Sequence, residues 1–127
     1  MILKIEVAPG ELIDKITILE IKLARISDEE KVRNVQREYA LLTQAADVVV
    51  TSPELTVLRS ELKRINGLLW QIEDDIRERE RRRDFGPNFI RLARAVYRTN
   101  DERARVKREI NRLLNSTLVE EKAYAPY

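Results

Sequence analysis

Apolar residues recur along the middle of this chain at alternating steps of three and four, the spacing of one face of an α-helix. Over residues 55–76 these positions are Leu55, Leu58, Leu62, Ile65, Leu69, Ile72 and Ile76. The next stretch follows the same steps and returns to them near its end, at Phe89, Ala93, Val96, Ile110 and Leu114. In between, the steps fall on Asn100, Arg103 and Lys107. Because a charged residue at a packing position costs stability, these three positions indicate a buried polar network, a bound ligand or a helix that leaves its partners.

The first half of the chain predicts two shorter helices. Helix one covers about residues 11–26, and one of its faces carries Leu12, Ile16, Leu19, Leu23 and Ile26. The segment Ser27–Glu30 has the Ser-x-x-Glu form of a capping box and starts helix two at once. The apolar positions of helix two are Val32, Val35, Tyr39, Leu42 and Ala46. So short a connection makes the two helices an antiparallel hairpin.

Two longer helices follow. Ser52 and Pro53 are start signals for helix three, which reaches about Arg83. The segment Asp84–Asn88 breaks the chain, and helix four runs from Asn88 to about Ser116. Helices three and four approach thirty residues, about 42–45 Å, whereas the first two measure about 25–30 Å. The longer pair must therefore project beyond the shorter pair at the turn.

Both chain ends lack helical periodicity. Leu3–Val7 alternates apolar and charged residues, a weak strand signal that ends at Pro9 and Gly10. Thr117–Tyr127 is predicted to be a tail or a short strand at the same end of the molecule. We therefore expect residues 1–127 to form a single helical domain: an all-α antiparallel bundle of about four helices, with a long projecting hairpin and short extended terminal segments.

Composition narrows the chemistry. The formal charge is +2, so no global field requires a polyanionic partner, and we do not expect nucleic acid binding as the main function. The chain has no Cys and no His, which removes thiolate metal sites and the commonest general base. No metal site, cofactor or catalytic motif is predicted. No apolar run could span a bilayer and Met1–Pro9 lacks the apolar core of a signal peptide, so we expect a cytoplasmic protein with no membrane contact.

The polar positions of helices three and four predict a site between them. If the chain folds back at Gly86, Trp70 lies level with Arg103, Glu73 with Asn100, and Asn66 with Lys107. Glu20 of helix one flanks its apolar face, whereas Asp14 and Lys15 point further round that helix. The candidate ligand-binding residues are Glu20, Asn66, Trp70, Glu73, Arg77, Asn100, Arg103 and Lys107.

Three readings of this site stay open. Glu73–Arg103 and Asn66–Lys107 could be bridges that fix helix register, with Trp70 as a cation–π platform for Arg103. Arg103 and Lys107 could instead hold a small anionic ligand. Acid–base catalysis would need a raised pKa at Glu73 or Glu20, which nearby arginines would lower.

An arginine-rich segment surrounds the turn between helices three and four. It contains Arg77, Arg79, Arg81, Arg82, Arg83, Arg91, Arg94 and Arg98, interleaved with Glu78, Glu80 and Asp84. Such a pattern is typical of a solvated helix surface with i,i+4 ion pairs. The alternative is a basic tip for phosphate, nucleic acid or an acidic protein, although no aromatic residues are interleaved for base stacking.

Ile18 and Ile21 lie on the side of helix one opposite Leu12 and Leu19. A helix that is apolar on two sides needs two apolar neighbours. The terminal segments or a second subunit could provide the second neighbour, and a homodimer is slightly favoured.

Four segments carry a resemblance that covers nearly the whole chain: GELIDKITILEIK at 10–22, LWQIEDDIR at 69–77, YRTNDERA at 97–104 and LVEEK at 118–122. Together they resemble a bacterial family catalogued only as a domain of unknown function, which implies no activity. Residues 13–16, followed by an aliphatic helix ending in Arg25, are also similar to the first helix of the all-helical chorismate mutases. That resemblance implies Arg and Lys side chains holding a dicarboxylate inside the bundle. Here, however, Gly10 matches that family's N-terminal active-site arginine and Thr17 the second aspartate of its motif.

These observations predict a ligand-binding or protein-interaction module built on the polar site. One alternative is a chorismate-mutase-like or other anion-handling enzyme, in which Arg103 and Lys107 clamp the substrate and Asn66 or Glu73 positions it. The other is nucleic-acid binding through the arginine-rich tip.

Overall fold

The computed structural model describes residues 1–127 and contains four α-helices and no strand. The helices are α1 (Pro9–Arg25), α2 (Glu29–Ala45), α3 (Pro53–Arg81) and α4 (Pro87–Leu113), and a short 3₁₀ turn at Ala46–Val48 follows α2. The predicted all-α class and the number of helices are confirmed.

The ends of the helices follow local chemistry. The Ser52 hydroxyl accepts a hydrogen bond from the Leu55 N–H at 3.2 Å, as the start signal of α3 predicts. The capping box proposed from Ser27 is wrong, because the Asp28 carboxylate accepts from the Lys31 N–H at 3.0 Å and caps α2 instead. Both residue types cap helices equally well, so the sequence alone could not choose between adjacent candidates. The helices α3 and α4 end two to three residues earlier than predicted, just before Arg83 and Asn115, which adopt a positive φ of 54°.

The two long helices form an antiparallel hairpin with the most extensive packing in the molecule. Helix α1 lies between this hairpin on one side and α2 on the other, and α2 packs chiefly on α1. The core forms where α1, α3 and α4 meet, from Ile13, Leu55, Leu62, Ile65, Val106 and Ile110. α1 is therefore the central helix of the fold.

This position of α1 explains its two apolar sides. Ile21 is buried within the chain and Ile18 is partly buried, so both neighbours that α1 requires belong to the same molecule. The expectation that a second subunit covers these residues loses its basis.

The α3–α4 hairpin projects beyond α1. α1 has 17 residues, about 26 Å, whereas α3 has 29, about 44 Å. The hydrogen bond between Arg25 at the end of α1 and Gln71 of α3, at 3.5 Å, lies well before the turn of the hairpin. We call residues 77–98, which contain the turn and the arginine-rich segment, the tip; Phe85 and Ile90 are exposed there.

Neither terminal segment contains a helix or a strand. The N-terminal segment and the start of the C-terminal segment lie at the end of the molecule opposite the tip, and the rest of the C-terminal segment runs back along α4 as far as Tyr97. Glu6 and Val7 line one cleft together with Leu118 and Val119, so the expected proximity of the termini is confirmed. No backbone hydrogen bond joins the two segments, and the weak strand signal at Leu3–Val7 does not correspond to a strand within the chain. No helix has both the length and the apolar character needed to cross a bilayer.

Candidate functional site

Buried polar side chains are concentrated where α1 crosses the hairpin. We call five of them the polar cluster: Asp14, Thr17, Asn66, Arg103 and Lys107. All but Arg103 are almost fully buried, and Arg103 is partly buried. Because burying polar groups without partners is costly, each must find a hydrogen bond inside the protein.

Asp14 is the centre of the cluster and is only 1% exposed. Its Oδ1 accepts hydrogen bonds from Asn66 Nδ2 at 2.8 Å and from Arg103 Nε at 3.0 Å. Its Oδ2 accepts a second bond from Arg103 Nη2, which completes a bidentate ion pair. The hydrogen bond to Asp14 raises the pKa of Arg103 above its ordinary value against the opposing effect of burial. The Arg103 guanidinium is therefore held in its charged form.

Thr17 connects the backbone of α1 to the Asn66 side chain of α3. Its hydroxyl donates to the Asp14 carbonyl oxygen at 2.8 Å and accepts from Asn66 Nδ2 at 3.0 Å. The Asn66 amide thus joins two residues of α1 to α3, which fixes the relative position of the two helices.

Lys107 forms the outer edge of the cluster. Its Nζ donates to Glu11 at 2.7 Å and to Glu120 at 2.9 Å, and lies 4.0 Å from Asp14 Oδ2. Burial lowers the pKa of Lys107, but the hydrogen bonds to Glu11 and Glu120 outweigh it, so the pKa lies above its ordinary value. The Lys107 hydrogen bond in turn holds the pKa of Glu120 below its usual range.

Gly10 lets α1 approach α4 closely beside Lys107. Its N–H donates to Asn111 Oδ1 at 2.7 Å. A Cβ at this position would lie 2.5 Å from the Lys107 carbonyl oxygen and 2.8 Å from Asn111 Oδ1. Only glycine fits here without a shift of the backbone, which accounts for the residue that stands where chorismate mutases carry an arginine.

The C-terminal segment lies along α4 and covers the cluster from outside. We call residues 117–127 the strap. Besides the Glu120–Lys107 contact, Lys122 Nζ lies 3.7 Å from Asp101, and the Tyr127 hydroxyl donates to Asp101 at 2.7 Å. The ring of Tyr127 also packs against Tyr97 with centroids 5.1 Å apart. The strap is therefore attached at three separate points.

The structure pairs several predicted site residues differently. Glu73 forms an i,i+4 ion pair with Arg77 on the surface and does not reach Arg103. Trp70 lies 5.9 Å from the guanidinium of Arg25, so Arg103 is not its cation–π partner. Both predicted pairings assume that α3 and α4 provide each other's partners, whereas α1 packs on the hairpin and its Asp14 is the partner of Arg103.

Glu20 is also separate from the polar cluster. It accepts hydrogen bonds from Tyr39 of α2 at 3.2 Å and from Arg59 of α3 at 3.1 Å, with Lys63 at 3.6 Å. It joins α1 to its two neighbours at a second place. Of the eight candidate residues, the structure brings Asn66, Asn100, Arg103 and Lys107 together and leaves Glu20, Trp70, Glu73 and Arg77 elsewhere.

The residues that sequence reasoning missed are the carboxylates of the site. The predicted position of Asp14, further round helix one, is wrong, and no periodicity indicates that Glu11 and Glu120 contact Lys107. A usable signal was present: Gly10, Asp14, Thr17 and Ile21 recur at steps of four, three and four and form a second face of α1. This is the face that meets the hairpin.

The three polar residues that interrupt the apolar spacing of α4 are less exposed than most of the arginines next to them. Lys107 is buried and Asn100 and Arg103 are partly buried, whereas Arg98 and Arg105 are exposed. Arg108 is partly buried as well, so the difference in exposure does not extend to every neighbouring arginine.

Two cavities adjoin the cluster, and the larger one, a cleft of about 360 Å³ on the outer side of Lys107, is the cleft that the two terminal segments line. The cavity beside Arg103 and Lys107, lined also by Asn100 and Glu120, has a volume of about 30 Å³. That is about the volume of one water molecule. Every buried side-chain polar atom has a hydrogen-bond partner, and no group of three or more acidic side chains is placed to hold a metal ion.

Taken together, fold and site define a small all-α protein whose apolar core is bordered by a buried, ion-paired and hydrogen-bonded network. The chain belongs to DUF6165, a family of unknown function whose model matches residues 3–127. No curated protein and no solved structure matches the chain.

Proposed function

We propose that the protein is a protein-interaction module that works as a homodimer in the cytoplasm, and that the polar cluster locks its helices in register. One observation carries the proposal. The N-terminal segment presents apolar side chains to solvent on an extended backbone that has no hydrogen-bond partner in the chain.

The exposed apolar surface supports an interaction with another chain. Leu3 and Ile5 are 77% and 78% exposed, and Leu118 and Val119 are exposed on the neighbouring strap. Apolar side chains concentrated in one exposed region are typical of protein–protein contact sites. The polar residues Lys4 and Glu6 between them keep the segment soluble when it is unpaired.

The closed polar cluster supports a structural role over a small-molecule pocket. The cavity beside Arg103 has about 30 Å³, far below the roughly 300–1,000 Å³ usual for ligand sites, and the larger cleft outside Lys107 does not include Arg103. A mutase-like enzyme would need Arg103 and Lys107 available for an anionic substrate. Here both cations are already paired with Asp14, Glu11 and Glu120.

Sedimentation velocity at tens of micromolar tests the proposal. We expect the wild type to sediment as a dimer and Leu3→Asp/Ile5→Asp to sediment as a monomer. The matched control is Val57→Asp, a charge placed on a 66% exposed apolar residue of α3, which should stay dimeric. A wild-type monomer over this range would overturn the proposal.

A second candidate function is polyanion binding by the tip, which a charge imbalance favours. The tip carries eight arginines against three carboxylates, a net charge of +5. Arg83, Arg91 and Arg94 have no carboxylate within ion-pairing distance.

Titration of a labelled oligonucleotide at about 50 and 200 mM salt tests this function, because phosphate contacts weaken steeply over that range. No binding at the lower salt, or binding unchanged in Arg91→Glu/Arg94→Glu, would exclude it.

A further inference from the structure

The N-terminal segment is chemically symmetric about Ile5. Reading outward from Ile5, the chain has Lys4 and Glu6, which carry opposite charges, and then Leu3 and Val7, which are both apolar. In an extended chain Leu3, Ile5 and Val7 point to one side and Lys4 and Glu6 to the other.

The backbone of this segment has unused hydrogen-bonding capacity. Residues 1–7 neither donate nor accept a backbone hydrogen bond, and the first bonded group is the Ala8 carbonyl at the start of α1. The free backbone groups of such a segment can pair with another extended chain, as an added strand does at a sheet edge.

From this symmetry we infer that two copies of the protein pair their N-terminal segments as antiparallel strands with Ile5 on the two-fold axis. The inference rests on the proposed function, since it specifies how the dimer forms. In this register Ile5 faces the partner's Ile5, Leu3 faces the partner's Val7, and Lys4 faces the partner's Glu6. Each unlike pair forms twice, so one dimer contains two opposite-charge pairs.

The other registers are less favourable. A shift of one residue places apolar residues opposite charged ones on both faces of the ribbon. A shift of two residues places Lys4 opposite the partner's Lys4, or Glu6 opposite the partner's Glu6. Parallel in-register pairing creates both like-charge contacts at once. Only the register centred on Ile5 combines opposite charges on one face with apolar residues on the other.

The apolar face of this ribbon also has a surface to pack on. It contains six side chains, namely Leu3, Ile5 and Val7 from each copy. An isolated two-stranded ribbon is marginally stable in water, so this face needs cover. Leu118 and Val119 of the strap line the same cleft as Val7 and are themselves exposed. The strap thus provides the nearest apolar surface.

A charge-reversal series tests the register. We expect Lys4→Glu and Glu6→Lys each to raise the dimer Kd by about tenfold, because two opposite-charge pairs become two like-charge pairs. The double variant Lys4→Glu/Glu6→Lys should restore the wild-type Kd. An equimolar mixture of the two single variants should form a heterodimer at least as stable as the wild type.

Cysteine crosslinking gives a second, independent test, and it is clean because the chain has no native cysteine. Directly opposite residues of antiparallel strands lie about 4.5–5.5 Å apart, within reach of a disulfide. Ile5→Cys should therefore oxidise to a covalent dimer, as should a mixture of Leu3→Cys and Val7→Cys. Leu3→Cys alone is the matched control and should not crosslink, because its two copies lie about 13 Å apart along the ribbon.

The outcomes separate the register from the proposed function. A wild-type dimer that shows no Ile5→Cys crosslink and no response to charge reversal would overturn the register and leave self-association intact. A wild-type monomer would overturn both. The substituted positions lie outside every helix, so an unchanged circular dichroism spectrum will verify that each variant is folded.

Discussion

Asp14 accepts hydrogen bonds from both helices of the hairpin, from Asn66 of α3 and from Arg103 of α4. Burying such an ion pair costs desolvation, and removing one partner costs more because the other charge remains buried and unpaired. The pair therefore contributes less to net stability than to fixing where α1 crosses the hairpin.

Arg103→Ala should test this role of the ion pair. We expect it to lower the free energy of unfolding by about 2–4 kcal/mol, because the Asp14 carboxylate loses its counter-ion in a buried site. Adding Asp14→Asn should recover part of the loss by removing the stranded charge. Arg105→Ala, which breaks only exposed ion pairs with Glu61 and Glu109, should cost at most about 1 kcal/mol. Urea unfolding measures all four proteins, and an Arg103→Ala variant as stable as wild type would contradict the prediction.

The two helical glycines offer a matched comparison at the same scale. Gly10→Ala should destabilise the protein by about 1–3 kcal/mol, because the new Cβ overlaps the Lys107 carbonyl oxygen. Gly67→Ala should stabilise it by about 0.5–1 kcal/mol, since a Cβ there meets nothing within 4 Å and alanine favours the helix. Thermal unfolding of the two variants checks the opposite signs. Equal shifts would mean that α1 can move away from α4 at little cost.

Single residues also show where sequence reasoning reaches its limit. The break in apolar spacing located Arg103 and Lys107 because periodicity reports which face of one helix a residue occupies. It did not identify Asp14 as their partner, because pairing across helices depends on a crossing angle that periodicity does not contain. The two cations of the polar cluster could therefore be predicted from the sequence, whereas their carboxylate partner could not.

At the scale of elements, helix limits were the easier part. Proline, serine and glycine at the starts and turns of α3 and α4 act locally, so the helix limits that they set can be predicted from the sequence. The strap was not predictable as an ordered element, since its residues have no periodicity. Its position depends instead on contacts with α4 through Glu120, Lys122 and Tyr127.

Acid should release the part of the strap that Glu120 holds. The Lys107 hydrogen bond lowers the pKa of Glu120 in the folded protein. The contact is therefore fully present above the ordinary pKa of a glutamate and is lost as the pH falls through the lowered value. Lys107, Lys122 and Arg103 are the cations that face Glu120 and lower its pKa.

The NMR order parameters of residues 118–127 as a function of pH measure this release. The strap order parameters should decrease on acidification in the wild type. Glu120→Gln should show low order parameters near Lys107 already at neutral pH and no acid-dependent step. Glu121→Gln, a change at the adjacent exposed residue, should behave as wild type. A step that persists in Glu120→Gln would assign the release to another group.

At the scale of the whole molecule, the basic tip and the apolar N-terminal segment lie far apart. The net charge of +2 hides +5 on the tip, which leaves −3 for the rest of the chain. The N-terminal segment and the start of the strap lie at the opposite end of α4, about 36 Å from the turn for the 24 residues between Pro87 and Asn111. A dimer formed through the termini would carry a basic tip at each end.

Small-angle X-ray scattering should detect this shape. We expect a dimer with a maximum dimension of roughly 80 Å or more, since two hairpins of about 40 Å extend away from a shared contact at the termini. A compact dimer with a maximum dimension near that of one hairpin would place the contact along the helices instead. Leu3→Asp/Ile5→Asp should give the scattering curve of the single chain.

The central position of α1 has a consequence for the order of folding. Its buried carboxylate is satisfied by groups 52 and 89 residues away in sequence, whereas the α3–α4 hairpin is built from contacts across one short turn. Local contacts cost less loop entropy and form sooner, so we expect the hairpin to assemble first and α1 with α2 to dock on it last. A peptide of residues 1–50 should then be largely unfolded by circular dichroism, because α2 offers α1 no partner for Asp14. The first half of this chain would acquire its structure only once the second half, emerging later from the ribosome, has formed the surface that it covers.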